Sequence, residues 1–486
     1  VPASPLAPGW LTYPADANEL NPALWASTVT RTRSGAVSVD GVSVTELAEK
    51  FGTPVYVVSE TDFRTRARNF REAFNAAFRD LCGGVDVYYA GKSFLCSEVA
   101  HWVSEEGLRL DTASGGEMAV ALRAGLQGRQ LALHGNNKSD AELNRALDLE
   151  VGRIVVDSLD ELQRVGALAQ ARGATANVML RLTPGVHAHT HEFIATAHED
   201  QKFGLSLAPS SSGTESPAAQ AVAAALDHPC IRLLGVHSHI GSQIFESAGF
   251  ELAARRLLGF LAEVRDRHGV ELKELDLGGG YGIAYTEEDT PRSPAAIAQA
   301  MAAVVGEACA AHGLRAPRIS IEPGRAIAGP STFTLYTAGT TKTVQADVDG
   351  ASHPRRYVSV DGGMSDNARP VLYDADYSAV VASRTSAAEP VLSRVVGKHC
   401  ESGDIVVRSV YLPGDTTHGD LLAVPGTGAY CWSLASNYNY LTRPPVVAVK
   451  DGEARIIVRG ETEEDLLSRD VLRGTGNDRA TLEAGA

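Results

Sequence analysis

The chain has 486 residues, enough for two or three domains, or for one barrel with a smaller partner, and for a large core. Its 44% hydrophobic and 21% charged residues exclude the disordered, collagenous and membrane classes. With 44 basic against 59 acidic residues the net charge is −15, a field that repels polyanions, so nucleic acid is not an expected partner.

The amino terminus, VPASPLAPGW, has neither the basic stretch nor the apolar run of a signal peptide and lacks an initial Met, which points to a removed initiator or short leader. AVSVDGVSV places Asp40-Gly41 between apolar runs, a two-residue hairpin signal. The same signal recurs at Asp451-Gly452 in VVAVKDGEARIIVR, so residues 1–58 are expected to pack with a C-terminal β domain.

From about residue 60 to 330, β-branched runs alternate with helical stretches, as in repeated βα units around a parallel sheet. Eight runs are present: VDVYYA from Val85, LRLDTAS from Leu108, LALHG from Leu131, RIVVDS from Arg153, VMLRLTP from Val178, LLGVHSHIG from Leu233, LKELDLGGG from Leu272 and RISIEPG from Arg318. Eight is the count for a closed, TIM-like α/β barrel, predicted over 59–330. Within it, SLAPSSSGTESP from Ser206 reads as a surface loop. The segment Pro294 to Ala311, interrupted by Gln299 and Glu307, reads as a packed helix, and no transmembrane segment is predicted. After Pro330 closely spaced strands predict a mostly antiparallel β domain over 331–460, sandwich-like or barrel-like. The acidic tail, 461–486, reads as a short helix and a frayed end.

Polar groups gather at the carboxyl ends of the eight runs, the face where βα barrels carry their active sites. They include Lys92, Asp111, His134, Asp157, Arg181 and His239, the triplet Gly278 to Gly280, and Glu322 with Arg325. Lys92 would project into an apolar mouth that desolvates its amine, where it can form a Schiff base with an aldehyde cofactor or a carbonyl substrate. A snorkelling surface lysine is the competing reading. The three glycines let backbone N–H groups approach a phosphate, or simply form a tight turn. Arg325 suits phosphate or carboxylate, and Glu322 and Arg325 also read as an ordinary surface ion pair. His237 and His239 share a strand face, and His187, His189 and His191 follow the fifth run. These histidines lack an acidic or cysteine partner at familiar spacing, so no metal is expected. The six cysteines, Cys82, Cys96, Cys230, Cys309, Cys400 and Cys431, form no CxxC pair and read as free thiols of a reducing, cytoplasmic compartment. Cys400 with Glu401 in CESGD offers an acid beside an anion, and Arg369 and Tyr373 share a loop suited to carboxylates. A buried inert thiol and a solvated polar loop are the plainer alternatives.

The motifs YYAGKS, DTASGGE, HGNNKS, HTHEFIATAHEDQKFG, HSHIGSQ, LDLGGGYG, EPGR, DNARPVLYDADY, CESGD and GAYCWSLASNYN occur in this order. Taken together, the chain from about Ser34 to Arg459 resembles the pyridoxal-phosphate-dependent decarboxylases of the alanine-racemase fold (fold type III), in their diaminopimelate-specific branch. The resemblance implies that Lys92 holds pyridoxal 5′-phosphate and that His239 stacks on its ring. It implies that Ser242, Gly279, Gly280, Arg325 and Tyr430 surround the phosphate and that Glu322 pairs with the pyridine nitrogen. It further implies a homodimer whose site is completed across subunits. Cys400 would return a proton to the α-carbon and Glu401 would receive the distal ammonium, while Arg325, Arg369, Tyr373 and Tyr430 would face the substrate. The implied activity is decarboxylation of meso-2,6-diaminopimelate at its D-centre to L-lysine, the last step of lysine biosynthesis. A same-fold decarboxylase of ornithine, arginine or carboxynorspermidine is the alternative; a cofactor-binding protein without turnover and a metal-dependent barrel hydrolase are more distant ones. Ser93 and the length of the Ser-rich loop depart from the family pattern, away from the chemistry. Arg181 and His134 carry no assigned role.

Overall fold

The β-branched runs of the sequence become strands, and the stretches between them helices whose apolar faces turn inward. The computed structural model describes residues 4–185, 201–209, 215–245 and 248–471. Before the barrel come β1 (Val29–Arg31), β2 (Val37–Val39), β3 (Val42–Ser43) and β4 (Val55–Ser59). The next group is β5 (Val85–Ala90), β6 (Arg109–Thr112), β7 (Leu131–Leu133), β8 (Arg153–Val156), β9 (Ala176–Thr183), β10 (Leu205–Ser206), β11 (Ile231–His237), β12 (Glu274–Asp276) and β13 (Arg318–Ile321). Of these, β5, β6, β7, β8, β9, β11, β12 and β13 pair in that order, all parallel, and β13 returns to β5, so the eight predicted runs close into a barrel. The short β10 pairs with β9 at its rim.

The outer helices start and stop where local chemistry dictates. The helix Glu60–Cys82 begins at Ser59, whose hydroxyl accepts the Asp62 N–H, and ends at Gly83 in the left-handed region. Its Phe63, Phe70, Phe74 and Phe78 lie on one face and are buried, each contributing about 1.5–3 kcal/mol of burial. The helix Pro294–His312 has Ser293 as cap, Pro294 in its first turn and Gly313 at its end. By length and composition it is apolar enough to cross a membrane. Instead Ile297, Met301 and Val305 are buried in the barrel's shell, against the helices Glu60–Cys82 and Ala248–His268.

The second region comprises β14 (Thr332–Val348), β15 (Ala351–Val360), β16 (Val380–Val381), β17 (Pro390–Val396), β18 (Ile405–Pro413), β19 (Leu421–Pro425), β20 (Val446–Lys450) and β21 (Glu453–Val458). Its sheet runs β18-β17-β15-β14-β4-β20-β21, with β19 joining β14 to β16. The pairings are antiparallel except β15 with β17 and β4 with β20, which are parallel. β4, just ahead of the barrel, is thus an inner strand of this sheet. The strands β1 to β3 form a small sheet of their own whose Val37, Val39 and Val42 share a core with Val55, Phe333 and Val447. Both hairpin turns have the left-handed pairs their residues favour, Asp40 and Gly41 at φ 46° and 86°, Asp451 and Gly452 at φ 50° and 80°. The Gly452 N–H donates to the Asp40 carbonyl at 2.9 Å, so the two tips meet. The tail carries the short helix Glu463–Leu467; the predicted frayed end lies largely outside the described residues.

Candidate active site

β5 ends at Ala90, and a single 3-10 turn, Gly91–Ser93, carries Lys92 out of the barrel. A Cβ at Gly91 would stand 2.8 Å from the Asp111 carbonyl, so only glycine lets this turn lie against β6. Ser93 is buried, its hydroxyl donating to the Ala90 carbonyl at 2.8 Å and its own carbonyl accepting the Tyr430 N–H at 2.9 Å. The second region is therefore fastened to the turn that presents the lysine. The Lys92 side chain itself is exposed, which corrects the expectation of a desolvated amine: it borders an open cleft rather than a closed apolar mouth.

Lys92 lines two cavities. The outer cleft, about 680 Å³, is also lined by Ser242, Tyr285, Arg325, Arg369, Tyr373 and Tyr430. Arg325 opens the short helix Arg325–Ala328, donates from Nη2 to Ser242 Oγ at 2.8 Å and from Nη1 to Tyr285 Oη at 2.6 Å, and lies 4.8 Å from the Tyr430 ring centre. Its Nε is buried without a hydrogen-bond partner among the described residues. Arg369, buried at the start of the helix Arg369–Tyr373, donates to Tyr377 Oη at 2.6 Å and packs 4.5 Å from the Tyr285 ring centre. Tyr373 is 62% exposed at the rim.

The inner pocket, about 130 Å³, is lined by Asp111, His134, Arg181, His237, His239 and Glu322. His239 accepts the Gly279 N–H on Nδ1 at 3.3 Å, which fixes the plane of the ring. The glycine triplet is required by packing as well: a Cβ at Gly279 would lie 2.2 Å from the Glu322 carbonyl, and one at Gly280 2.3 Å from that of Gly241. Glu322 is buried, with His237 Nε2 at 2.9 Å and His134 Nε2 at 3.4 Å from Oε1. Burial first, then the neighbouring Asp111, push the Glu322 carboxyl up to about 7, against the pull of His134, Lys92 and Arg181. Burial also drives His134 down to about 4, and His237 and His239 well below the ordinary histidine range. These imidazoles are neutral at physiological pH.

Chemically, the outer cleft offers a guanidinium with a hydroxyl beside it, the inner pocket a buried acid, and one amine faces both. That set suits an aldehyde that also carries a phosphate and a basic ring nitrogen. The carboxylate that the histidine spacing lacked is supplied from β13, since His134, His237 and Glu322 hold ligand-type atoms within 4.8 Å of one another. His237 and His134 stand 2.9 and 3.4 Å from one Glu322 oxygen, and His134 Nε2 is bonded to Asp111 Oδ1 at 3.1 Å, so the three form a buried polar cluster.

Two predicted residues do not reach the cleft within one chain. Cys400 and Glu401 are exposed in the turn between β17 and β18 and line neither cavity. Their turn is rigidly held: Asp404 accepts the His399 N–H and Nδ1, each at 2.8 Å, and the Met364 N–H at 2.6 Å. His187, His189 and His191, and most of the motif that begins at His189, lie outside the described residues, although Phe203 near its end is placed against Arg181, its ring centre 4.2 Å from the guanidinium. Sequence reasoning missed Tyr285, whose hydroxyl and ring engage Arg325 and Arg369 from the segment after the glycine triplet, and Trp10, which joins the outer cleft from the amino-terminal segment. The aromatic in GGGYGIAY was a weak signal for the first, and none existed for the second.

The family described as pyridoxal-dependent decarboxylase, pyridoxal binding domain, matches residues 61–329. Diaminopimelate decarboxylase of Mycobacterium tuberculosis is 52% identical over 456 residues, covering 93% of this chain and 98% of the relative. Among solved structures, the diaminopimelate decarboxylase from M. jannaschii in complex with L-lysine superposes with a TM-score of 0.83 at 29% identity, covering 92% of this chain and 99% of that one. The Helicobacter pylori enzyme complexed with L-lysine gives 0.75 at 28% identity, covering 88% and 98%.

Proposed function

The chain belongs to the pyridoxal-dependent decarboxylases, and from that premise we propose how its own residues serve the reaction. The protein is a pyridoxal 5′-phosphate-dependent carboxy-lyase that converts meso-2,6-diaminopimelate to L-lysine and carbon dioxide, the last step of lysine biosynthesis. The observation that carries this reading is the single amine, Lys92, bordering both the Arg325–Ser242 end of the outer cleft and the Glu322 end of the inner pocket.

Pyridoxal phosphate, when bound, supplies the electron sink for the pair left behind as carbon dioxide departs. Lys92 would hold its aldehyde, its amine lying where both cavities meet. Arg325 and Ser242, with Gly279, Gly280 and Tyr430, hold the phosphate. His239, neutral and fixed by the Gly279 N–H, would lie against the ring without adding charge. Glu322 would face the ring nitrogen and favour its protonated form. Arg369 and Tyr373, with Arg325 and Tyr430, receive the distal carboxylate, a group that ornithine and arginine lack; those substrates would leave the Arg369 guanidinium, bonded to the neutral Tyr377 hydroxyl, without an anionic partner. Cys400 and Glu401 act in the site of a second subunit, Cys400 returning the proton to the α-carbon and Glu401 binding the distal ammonium. Their exposure away from their own chain's cleft supports this homodimeric arrangement. In this reading 59–330 is the cofactor-binding domain, 331–460 the β domain on which 1–58 packs, and 461–486 a tail. A cytoplasmic location agrees with six unpaired cysteines.

The test is carbon dioxide release from meso-diaminopimelate, L-ornithine and L-arginine, each with and without added pyridoxal phosphate. Cofactor-dependent release from diaminopimelate alone, with lysine as product, is expected; release from ornithine or arginine would overturn the substrate assignment. Lys92→Ala should abolish the cofactor's bound absorbance band, and a retained band would remove Lys92 from its role.

A further inference from the structure

His237 is the last residue of β11, directed into the barrel by strand alternation, and it is 1% exposed. Neither of its ring nitrogens has a hydrogen-bond partner among the described residues, and Glu322 Oε1 is likewise a buried acceptor without one. The two atoms lie 2.9 Å apart, out of line for a bond. A small rotation of either side chain would satisfy both, and a buried polar group left unsatisfied is costly. His134 packs edge-to-face on His237, ring centres 5.1 Å apart, and points its own Nε2 between Asp111 Oδ1 at 3.1 Å and the same Glu322 oxygen at 3.4 Å.

We propose that His237 is a positioning residue that donates Nε2–H to Glu322 Oε1, with His134 supporting it from behind, and thereby keeps the Glu322 carboxylate ionised so that the proton stays on the ring nitrogen of the bound cofactor. This rests on the reading that Glu322 faces that nitrogen. The requirement comes from the surroundings. Glu322 is faced by Asp111 of β6 and Asp276 of β12, which oppose its ionisation, and by His134, Lys92 and Arg181 of β9, which favour it, while Arg153 of β8 acts on Asp111 and Asp276. Arg153 is already committed to Asp276 at 3.2 Å and stacked on Tyr88. With its carboxyl raised to about 7, Glu322 competes with the pyridine for one proton. A neutral imidazole settles that competition by hydrogen bonding to the anion while introducing no cation that would compete for the carboxylate.

The experiment uses holoenzyme reconstituted with pyridoxal phosphate labelled with 15N in the ring. Wild type should show a protonated ring nitrogen at neutral pH. His237→Phe should shift that resonance toward unprotonated pyridine and lower kcat about tenfold, the equivalent of one hydrogen bond to a charged group, with KM little changed. His237→Gln, which can return an N–H donor, should restore the shift. A merely structural histidine would not move this resonance. His237→Phe with the wild-type 15N shift would overturn the proposal. Glu322→Gln separates it from the underlying reading: a wild-type shift there as well would show that Glu322 does not face the nitrogen at all. Should His237→Phe not fold, the wild-type enzyme labelled with 15N-histidine decides, because the proposal requires His237 as the neutral Nε2–H tautomer, and an Nδ1–H tautomer or an imidazolium would overturn it.

Discussion

Arg369 illustrates how a residue's role depends on what holds it. Its guanidinium is buried, bonded to Tyr377 and packed on Tyr285, so one edge is committed and its plane is set before substrate arrives. A lysine cannot reproduce a planar fork that both stacks and donates twice. Arg369→Lys is expected to raise KM for diaminopimelate at least about tenfold, roughly the worth of one charge-assisted hydrogen bond, with a smaller effect on kcat. Steady-state kinetics would check this, and an unchanged KM would remove Arg369 from the distal carboxylate. The residue itself was legible from DNARPVLYDADY, whereas its partner Tyr285 was not. Nothing local marks one tyrosine as the wall between two arginines that are 44 positions apart in the chain.

At the scale of elements, β14 and β4 are held together around a buried carboxyl. Asp366 takes hydrogen bonds from the Tyr336 hydroxyl of β14 and the Gly363 N–H, and its backbone carbonyl accepts from the Tyr56 hydroxyl of β4. Burial raises this carboxyl to about 7, opposed by the Tyr336 and Gly363 bonds. A raised carboxyl binds its proton more tightly in the folded than in the unfolded chain. Its stabilising contribution is complete below about pH 4 and is lost as pH rises through about 7, in total on the order of 4 kcal/mol. Asp366→Asn cannot ionise. Denaturant unfolding at pH 4.5 and pH 8 should show wild type losing stability relative to Asp366→Asn over that interval, and an equal pH dependence of the two proteins would refute the assignment. The hairpins at Asp40-Gly41 and Asp451-Gly452 were legible because their chemistry is local. The parallel pairing of β4 with β20 was not, since it joins strands almost 400 residues apart and no local preference encodes it.

For the whole molecule, the exposed Cys400–Glu401 turn is the feature that one chain leaves unused. If it completes a second subunit's site, Lys92→Ala and Cys400→Ala proteins, each inactive alone, should recover activity when dissociated and reassociated together. Random pairing makes half the dimers mixed, each with one intact site, so about a quarter of wild-type activity is expected. Measured carbon dioxide release that stays at the level of the separate variants would place both residues in the same subunit's site. The rigid hold of Asp404 on this turn fits a role that demands fixed geometry at a distance from its own barrel.

Period and local chemistry made the eight strand runs, both hairpin turns and the order of the motifs that hold Lys92, His239, the glycine triplet, Glu322 and Arg325 legible in the sequence. Each depends on residues within a few positions of one another. Tertiary structure alone decided that β4 lies inside the C-terminal sheet, that Tyr430 is fastened to the turn of Lys92, and that His134, His237 and Glu322 converge on one buried oxygen. Those contacts join atoms from strands far apart in the chain. They exist because closing the barrel brings the carboxyl ends of its strands into a small space where polar groups lose water and must answer to one another.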